Sequence, residues 1–262
     1  MSRINSKFEE LKKQERKGFI PFVTAGDPDL ETCLAIILKL AELRADVIEL
    51  GVPFSDPMAD GPTIQRSSER ALDAGVTLGK VLELAAEFRK QSDVPLVLFS
   101  YFNPILHFGL DQFEKAALTA GIDGVLLTDV IENEAEKISR RFAKNDIDLI
   151  SLVAPTTTDE RLKAICDSAR GFIYAVSRAG VTGAQASTSS TAEELVRRTR
   201  QFTDMPIAVG FGISTAAQIS EVWEYADAAV VGSAIVSTIE NSGGQEVSEV
   251  EKFVAGLAPK AT

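Results

Sequence analysis

The chain has 262 residues, 45% of them hydrophobic, which is enough to bury a substantial core, and no composition break marks a linker, so we expect a single domain over residues 1–262. Acidic residues outnumber basic ones by 38 to 27, and the formal charge of −11 argues against nucleic acid or an anionic membrane as a partner. No stretch has the pattern of a signal peptide or the length of a membrane span, so a cytoplasmic location is predicted.

In chain order, residues 1–17 form the first predicted element, a helix that precedes a repeating pattern. Eight short runs of β-branched and aliphatic residues follow it, separated by segments with apolar residues at helical spacing. The predicted strands span residues 19–24, 46–51, 95–100, 123–128, 148–153, 171–176, 206–210 and 227–231. Nearly continuous apolar strands that alternate with helices indicate parallel pairing, with helices covering the sheet.

This alternation predicts the fold class. Eight strand–helix units in about 250 residues are typical of a closed (β/α)₈ TIM barrel, an α/β fold, in which residues 1–17 would cover the bottom as an extra helix. An open doubly wound sheet is the alternative. Barrels of this kind carry their chemistry at the carboxyl ends of the strands, so we expect the functional residues in the strand-to-helix loops.

Two smaller patterns concern the predicted helices. The pairs with the spacing of capping boxes are Thr157 with Glu160 and Ser190 with Glu193. The two cysteines, Cys33 and Cys166, lie far apart and have no neighbours at metal-ligand spacing. We interpret both cysteines as small core residues rather than as ligands or nucleophiles.

The strand-to-helix loops contain seven distinctive motifs. They are "PFVTAGDPD" (21–29), "ELGVPFSDPMADGPTIQ" (49–65), "YFNPILHFG" (101–109), "LTD" (127–129), "SRAGVTGA" (177–184), "VGFGIS" (209–214) and "VVGSAIV" (230–236). Together, over roughly residues 19–240, these motifs closely resemble the tryptophan synthase alpha chain family. The resemblance implies an enzyme without a cofactor of its own, which cleaves indole-3-glycerol phosphate to indole and glyceraldehyde 3-phosphate.

Two carboxyl groups are the candidate catalytic residues. Glu49 is the fourth residue of a predicted apolar strand, where burial should raise its pKa and suit it to give and take a proton. From position alone, it could instead be a buried carboxylate paired with a cation. Asp60 precedes Gly61 in a loop and could be a turn residue. The resemblance assigns Glu49 as the acid/base and Asp60 as the group that binds the indole N–H.

Cleavage of a carbon–carbon bond could also use an imine-forming lysine or a metal ion. Every lysine lies in a terminal segment, in a predicted helix or, for Lys17, just before the first strand. One histidine, His107, is too few for the site of a zinc aldolase. Neither a Schiff base nor a metal site is therefore predicted.

The predicted phosphate site lies in the loops after the seventh and eighth strands, where TIM barrels commonly bind phosphate. Gly210, Gly212, Gly232 and Ser233 could bring backbone N–H groups together there, with Ser233 leading a short helix. The alternative is that these glycines simply permit positive φ angles. The resemblance implies that the phosphate is bound by Gly183, Gly212, Gly232 and Ser233.

The resemblance also implies an apolar slot for the indole and a loop that closes over it. The residues around the indole would be Phe22, Ile64, Leu126, Tyr174 and Phe211. Sequence alone would interpret most of them as core residues. Thr182, in the loop 177–184, would hydrogen-bond to Asp60 when that loop closes. Arg178 also lies in this loop, where it could be a solvated charge.

A partner protein is the last implication of the resemblance. It would be a pyridoxal phosphate-dependent β chain that condenses indole with serine in an αββα assembly, and the pyridoxal phosphate would belong to that partner. Asp56, Pro57 and Asn103 would face the β chain. One departure from the family pattern is Ile131, which stands where proline is usual after the fourth strand. The family pattern therefore does not predict the shape of that loop.

Two other functions would suit the same fold. A sugar-phosphate isomerase on the same fold would need a lysine or a histidine beside the carboxylate base, and neither occurs at a suitable strand end. A non-catalytic subunit that only activates the β chain would have no need of Glu49 and Asp60. Their presence therefore favours an enzyme.

Overall fold

The computed structural model describes residues 2–130, 132–176, 188–210 and 212–257. Its strands are β1 (Gly18–Thr24), β2 (Ile48–Gly51), β3 (Leu96–Ser100), β4 (Gly124–Leu127), β5 (Asp148–Val153), β6 (Ile173–Val176), β7 (Ile207–Gly210) and β8 (Ala228–Val231). Each strand pairs in parallel with the next one in the chain, and β8 pairs with β1. The closed barrel confirms the predicted fold class and excludes the open doubly wound sheet.

Helices surround this barrel and connect its strands. They are α1 (Arg3–Lys13), α2 (Leu30–Glu42), α3 (Pro62–Asp73), α4 (Leu78–Arg89), α5 (Phe102–Phe108), α6 (Leu110–Ala120), α7 (Glu132–Phe142), α8 (Asp159–Ser168), α9 (Thr188–Thr199), α10 (Ala216–Tyr225), α11 (Ser233–Glu240) and α12 (Glu246–Leu257), with a 3₁₀ turn at Ala143–Asn145. The segments after β2, β3 and β8 each hold two helices. Within the described ranges, no helix combines the length and the apolar character that a membrane crossing requires.

Apolar side chains form two clusters, one inside the barrel and one between its strands and the helices. The interior cluster includes Ile20, Val47, Val97, Leu126, Ile150, Phe172, Ala208 and Ala228. Ile4, Phe8 and Leu11 of α1 join it, so α1 closes the end of the barrel at which the strands begin. The outer cluster contains Cys33 and Cys166, both buried and free, which confirms their interpretation as core residues.

Aspartates at strand starts tie the N-terminal segment to the barrel. The contacts are Ser2 Oγ to Asp148 Oδ2 at 2.5 Å, Arg3 Nη1 to Asp123 Oδ1 at 2.8 Å, Arg16 Nη2 to Asp46 Oδ1 at 2.5 Å and Lys17 Nζ to Asp227 Oδ1 at 3.8 Å. Three of these carboxylates also accept backbone N–H groups near strand starts. The predicted covering helix is therefore confirmed, although α1 ends at Lys13 and an irregular segment completes the contacts.

Both predicted capping boxes are wrong. The N-cap of α8 is Thr158, whose hydroxyl accepts the N–H of Arg161, one residue later than a box that starts at Thr157. Several consecutive threonines precede the acidic residues here, and more than one of them has the spacing of an N-cap residue. The sequence pattern therefore does not show which threonine caps the helix. In α9, the helix already begins at Thr188, so Ser190 lies within its first turn.

Candidate active site

A cavity of about 690 Å³ lies at the carboxyl end of the barrel, and all eight strands or the loops after them contribute to its walls. Its lining includes Phe22, Glu49, Met58, Asp60, Ile64, Phe99, Thr128, Leu152, Tyr174, Val176, Gly212, Val230, Gly232 and Ser233. This volume is in the range of small-molecule sites. Two carboxyl groups in mainly apolar walls make the cavity a candidate for acid–base chemistry.

Glu49 is buried in the barrel, and no side chain in the described ranges neutralises its carboxyl group. It is the second residue of β2, paired with Phe22 of β1 and Val97 of β3, and is only 1% exposed. Neither carboxyl oxygen has a hydrogen-bond partner among the described residues, and none of the cations described pairs with it. This argues against the alternative of a buried ion pair. Burial raises the pKa of Glu49 to about 8, so the carboxyl group holds its proton at neutral pH.

Asp60 lies in the loop between β2 and α3, near the point where α3 begins with proline at Pro62. The loop is held locally, since the Asp60 N–H donates to Pro57 O at 3.1 Å and Gln65 Nε2 donates to Asp60 O at 2.9 Å. Burial raises the pKa of Asp60 to about 6, while a hydrogen bond from Tyr101 opposes the increase. Asp60 is therefore mostly ionised at neutral pH, in contrast to Glu49.

Aromatic rings and glycines shape the apolar walls of the cavity. The rings of Phe22 and Phe99 meet edge to face, with centroids 5.4 Å apart. A Cβ atom at Gly51 would lie 2.5 Å from Phe22 Cζ, so only glycine leaves room for that ring. A Cβ atom at Gly210 would collide with the Tyr174 phenol. Gly210 therefore serves the placement of Tyr174, a role that the sequence did not indicate.

Three of the residues predicted to bind phosphate, Gly212, Gly232 and Ser233, line the cavity, whereas Gly210 does not. Gly232 is the N-cap of α11, Ser233 is its first residue, and both line the cavity together with Gly212. The first N–H groups of a helix lack partners within the helix and can bind an anion. Gly212 has a φ of +81°, which fits the alternative reading of glycine as a conformational requirement. Gly232, with a φ of −116°, has no such requirement.

Comparison with known proteins identifies the family. The model of the family described as tryptophan synthase alpha chain matches residues 8–260. The chain belongs to the tryptophan synthase alpha chain family. Among curated relatives, the tryptophan synthase alpha chain of Geotalea uraniireducens is 48% identical over 258 residues, covering 98% of this chain and 97% of that protein. The one from Geobacter sulfurreducens is also 48% identical over 258 residues, covering 98% of both chains.

Solved structures agree with this membership. A crystal structure of tryptophan synthase subunit alpha from Legionella pneumophila is similar with a TM-score of 0.90 at 34% identity, covering 98% of this chain and 97% of that one. A crystal structure of tryptophan synthase from M. tuberculosis is similar with a TM-score of 0.88 at 34% identity, covering 99% of each chain. The similarity therefore extends over the whole barrel.

The structure brings most of the residues predicted from the alpha-chain resemblance to one cavity. Those that line it are Glu49, Asp60, Phe22, Ile64, Tyr174, Gly212, Gly232 and Ser233. Leu126 lies elsewhere, fully buried in the interior cluster of the barrel, and is not part of the cavity lining. Residues that lie outside the described parts of the chain are Arg178, Thr182, Gly183, Phe211 and Ile131. Their predicted roles stay predictions.

The residues predicted to face a β chain lie at the same end of the barrel as the cavity. Asp56 and Asn103 are exposed, and Pro57 is half-buried. Beside them, Met58 is 87% exposed and also contributes to the cavity wall. The loop after β2 therefore joins the cavity to the outer surface.

Sequence reasoning missed two polar residues near Asp60. Tyr101, between β3 and α5, hydrogen-bonds to Asp60, and Thr128, just after β4, lines the cavity with a buried hydroxyl group. Both residues lie within quoted motifs at strand ends. Their position at the carboxyl ends of strands was the available signal, and neither motif indicated which side chains would face Asp60.

Proposed function

We propose that this chain cleaves indole-3-glycerol phosphate to indole and glyceraldehyde 3-phosphate in the cavity at the carboxyl end of the barrel. The activity is that of the tryptophan synthase alpha chain family, to which the chain belongs. The observation that supports this site is the pair of carboxyl groups in one cavity with separated pKa values, about 8 for Glu49 and about 6 for Asp60. Two carboxyl groups in opposite protonation states can divide acid and base duties.

Glu49 is the acid and then the base in this proposal. Its protonated carboxyl delivers a proton to indole C3, and the indole nitrogen takes up the positive charge as its lone pair moves into the ring. The carboxylate that results takes the proton of the hydroxyl group on the adjoining side-chain carbon. A carbonyl forms there, the carbon–carbon bond breaks, and its electron pair restores the aromatic indole. Glu49 ends protonated, as it began.

Asp60 stabilises the charge that develops in this reaction. As an ionised carboxylate it accepts the indole N–H and lies close to the positive charge of the protonated ring. A fixed charge in a site that excludes water stabilises such a transition state far more than it would in water. The two roles require that Glu49 be protonated and Asp60 be ionised at the same pH.

The rest of the cavity would bind the substrate at its two ends. Phe22, Ile64 and Tyr174 would enclose the indole, whereas Gly212, Gly232 and Ser233 would bind the phosphate through backbone N–H groups and the serine hydroxyl. A substrate held at both ends presents its reacting bond to Glu49 in a fixed orientation. Thr182 and Gly183 would complete this arrangement from the loop 177–184.

Family membership implies a β chain as partner, and we propose an αββα assembly with pyridoxal phosphate in the β chain only. Indole would pass from this cavity to the β chain for the synthesis of tryptophan. Asp56, Pro57 and Asn103 would lie at the contact, at the end of the barrel that holds the cavity. This chain would need no cofactor of its own, because carboxyl groups supply the proton transfers.

Indole release from indole-3-glycerol phosphate tests this function. We expect wild type to release indole, with a rate that rises when a tryptophan synthase β chain is added. Glu49→Gln removes the proton donor and keeps the shape, so we expect kcat to fall by about 100-fold or more with and without the β chain.

The matched control is Glu83→Gln, at an exposed position on α4, which should retain the wild-type rate. Circular dichroism and thermal unfolding confirm that each variant is folded. No indole from folded wild type, with or without the β chain, would contradict the proposed reaction. Wild-type turnover by Glu49→Gln would contradict the role of Glu49.

A further inference from the structure

Tyr101 makes two hydrogen bonds to the loop that carries Asp60. Its hydroxyl group lies 3.2 Å from Asp60 Oδ2 and accepts the backbone N–H of Ala59 at 2.8 Å. The residue is only 6% exposed, so both contacts lie in a protected environment. One phenol group therefore contacts both the backbone and the carboxylate of neighbouring loop residues.

The direction of these hydrogen bonds is fixed by their chemistry. An N–H group can only donate, so the Tyr101 oxygen accepts from Ala59 and its own proton is available to Asp60 Oδ2. Burial, together with the neighbouring Asp60, raises the pKa of Tyr101 above its ordinary value, so the phenol keeps this proton at neutral pH. Donation to one carboxylate oxygen leaves the other oxygen to face a substrate.

Tyr101 is itself held in a rigid frame. It is the N-cap of α5 and directly follows β3. Asp129, from the loop after β4, accepts the N–H of the next residue, Phe102, at 2.8 Å. The Tyr101 ring also packs against Phe54 of the Asp60 loop, with centroids 5.1 Å apart. Tyr101 at the end of β3 thus contacts the Asp60 loop through both its ring and its hydroxyl group.

Thr128 adds a second hydroxyl group to this cluster. Its Oγ1 atom is buried and has no hydrogen-bond partner in the parts of the chain that the structure describes. It lies close enough to lower the pKa of the Tyr101 phenol, although the two groups do not reach hydrogen-bonding geometry. A buried hydroxyl without a partner is costly, and a small shift towards Tyr101 would relieve that cost.

We infer that Tyr101 is a positioning residue, which holds Asp60 and its loop so that the free carboxylate oxygen meets the indole N–H, with Thr128 as a reserve donor to the phenol oxygen. This inference rests on the proposed function. Tyr101 acts through Asp60 and takes no part in proton transfer. Its contribution therefore belongs to turnover rather than to phosphate binding.

Tyr101→Phe tests the inference, because it removes the hydroxyl group and keeps the ring contact with Phe54. In the complex with a β chain, we expect kcat to fall on the order of tenfold and KM to change by less than about twofold. We also expect the acid limb of kcat/KM to move to higher pH. Without the donated hydrogen bond, the ionised form of Asp60 is less favoured and its pKa rises.

The other titratable groups near Asp60 do not titrate on the acid limb of the pH profile. Among the described residues, Glu49 and Tyr174 line the same cavity as Asp60, and Tyr101 lies beside Asp60 in a small adjoining pocket. Glu49 controls the basic limb of the profile, and burial keeps both phenols protonated throughout the range. A shift of the acid limb alone therefore reports on Asp60.

Tyr225→Phe is the matched control, the same change on α10, and should leave both kcat and the acid limb unchanged. A Tyr101→Phe variant with wild-type kcat and a wild-type acid limb would overturn the inference. Asp60→Asn separates this failure from a failure of the proposed function. If Asp60→Asn is inactive while Tyr101→Phe is normal, only the inference is wrong, whereas a fully active Asp60→Asn contradicts the role of Asp60 itself.

Discussion

The buried Glu49 carboxyl group should cost the protein stability at high pH. In the unfolded chain this group ionises near 4.5, but in the folded barrel its pKa is about 8. The folded state therefore binds the proton more tightly. Below about pH 4.5 the group is protonated in both states, and its contribution to the free energy of unfolding is at its highest. As pH rises from about 4.5 to about 8, the group ionises in the unfolded chain but not in the folded one, so the free energy of unfolding falls throughout that interval.

Glu49→Gln should remove this dependence, since glutamine does not titrate. We expect the variant to gain stability relative to wild type as pH rises from about 5 to about 8, by on the order of 2–4 kcal/mol in the free energy of unfolding. Urea unfolding at pH 5, 7 and 9 measures the difference. Glu83→Gln, at an exposed site, should show no such trend. A difference between Glu49→Gln and wild type that stays constant from pH 5 to 9 would count against an uncompensated buried carboxyl.

Single residues differ in how far the sequence predicts them. Glu49 could be singled out because a carboxyl group inside an apolar strand is unusual, and Asp60 because of its motif. Tyr101 and Leu126 could not be assigned from sequence, because their surroundings depend on how neighbouring strands align. The register pairs Leu126 with Phe99 and Ile150 in the barrel interior, whereas Tyr101 lies beyond the end of β3. One or two residues along a strand separate the core from the cavity.

Among the structural elements, the N-terminal segment that holds α1 and the residues after it depends on ion pairs at the end of the barrel opposite the cavity. Asp46 is 2% exposed and accepts two hydrogen bonds from Arg16 and one from the N–H of Phe19. Removal of Arg16 would leave this buried carboxylate with only its backbone partner. Breaking a buried pair in this way is more costly than losing a surface ion pair.

Arg16→Met should therefore lower the free energy of unfolding by about 1–3 kcal/mol, with Arg16 partly exposed to solvent screening. Lys12→Met, at an exposed position of α1, is the control and should change stability by less than about 0.5 kcal/mol. Urea unfolding at pH 7 compares the two variants. Equal stability of the two would contradict the account of this contact. The kcat of folded Arg16→Met should match wild type, because the cavity lies at the other end of the barrel.

The elements themselves follow from the sequence more reliably than their ends do. All eight predicted strands are present, with boundaries that differ by up to two residues. Apolar runs identify the strands because both faces of a parallel barrel strand are buried. The predicted strands begin too early where an aspartate precedes β2, β4 or β8, because that aspartate bonds to a neighbouring backbone N–H through its side chain. Residue type alone does not show where the backbone pairing of a strand begins.

At the scale of the whole molecule, exposed apolar side chains are candidates for the proposed contact with the β chain. Three large ones are exposed among the described residues: Met58, Leu106 and Leu118. Met58 and Leu106 follow the carboxyl ends of β2 and β3, the end of the barrel that holds the cavity, and Met58 lines the cavity itself. Leu118 lies near the end of α6 that leads into β4, at the opposite end of the barrel. The first two are therefore positioned for a partner that receives indole.

Leu106→Asp should weaken stimulation by the β chain, because a charge at an apolar contact is unfavourable. We expect the concentration of β chain that gives half-maximal stimulation to rise by about tenfold or more, with unchanged indole release by the isolated chain. Leu118→Asp is a closely matched control, since both leucines are 52% exposed. Equal effects of the two substitutions would remove Leu106 from the interface.

The overall fold was predictable because the same strand–helix unit recurs eight times, and a closed barrel buries every strand. The cavity was predictable as a location, since parallel strands bring their carboxyl ends together. Its polar contacts were not, because Asp60 meets Tyr101 only when the loop after β2 folds over the end of β3. Contacts between loops from different strands depend on three-dimensional arrangement rather than on local pattern.

The central claim is that Glu49 and Asp60 act in opposite protonation states. The pH dependence of kcat/KM for indole release tests it most directly. We predict a bell-shaped profile for wild type. Activity should rise through a pKa near 6 as Asp60 ionises and should fall through a pKa near 8 as Glu49 loses its proton. A profile that is flat from pH 5 to 9, or an acid limb that persists unchanged in a partly active Asp60→Asn variant, would contradict this assignment.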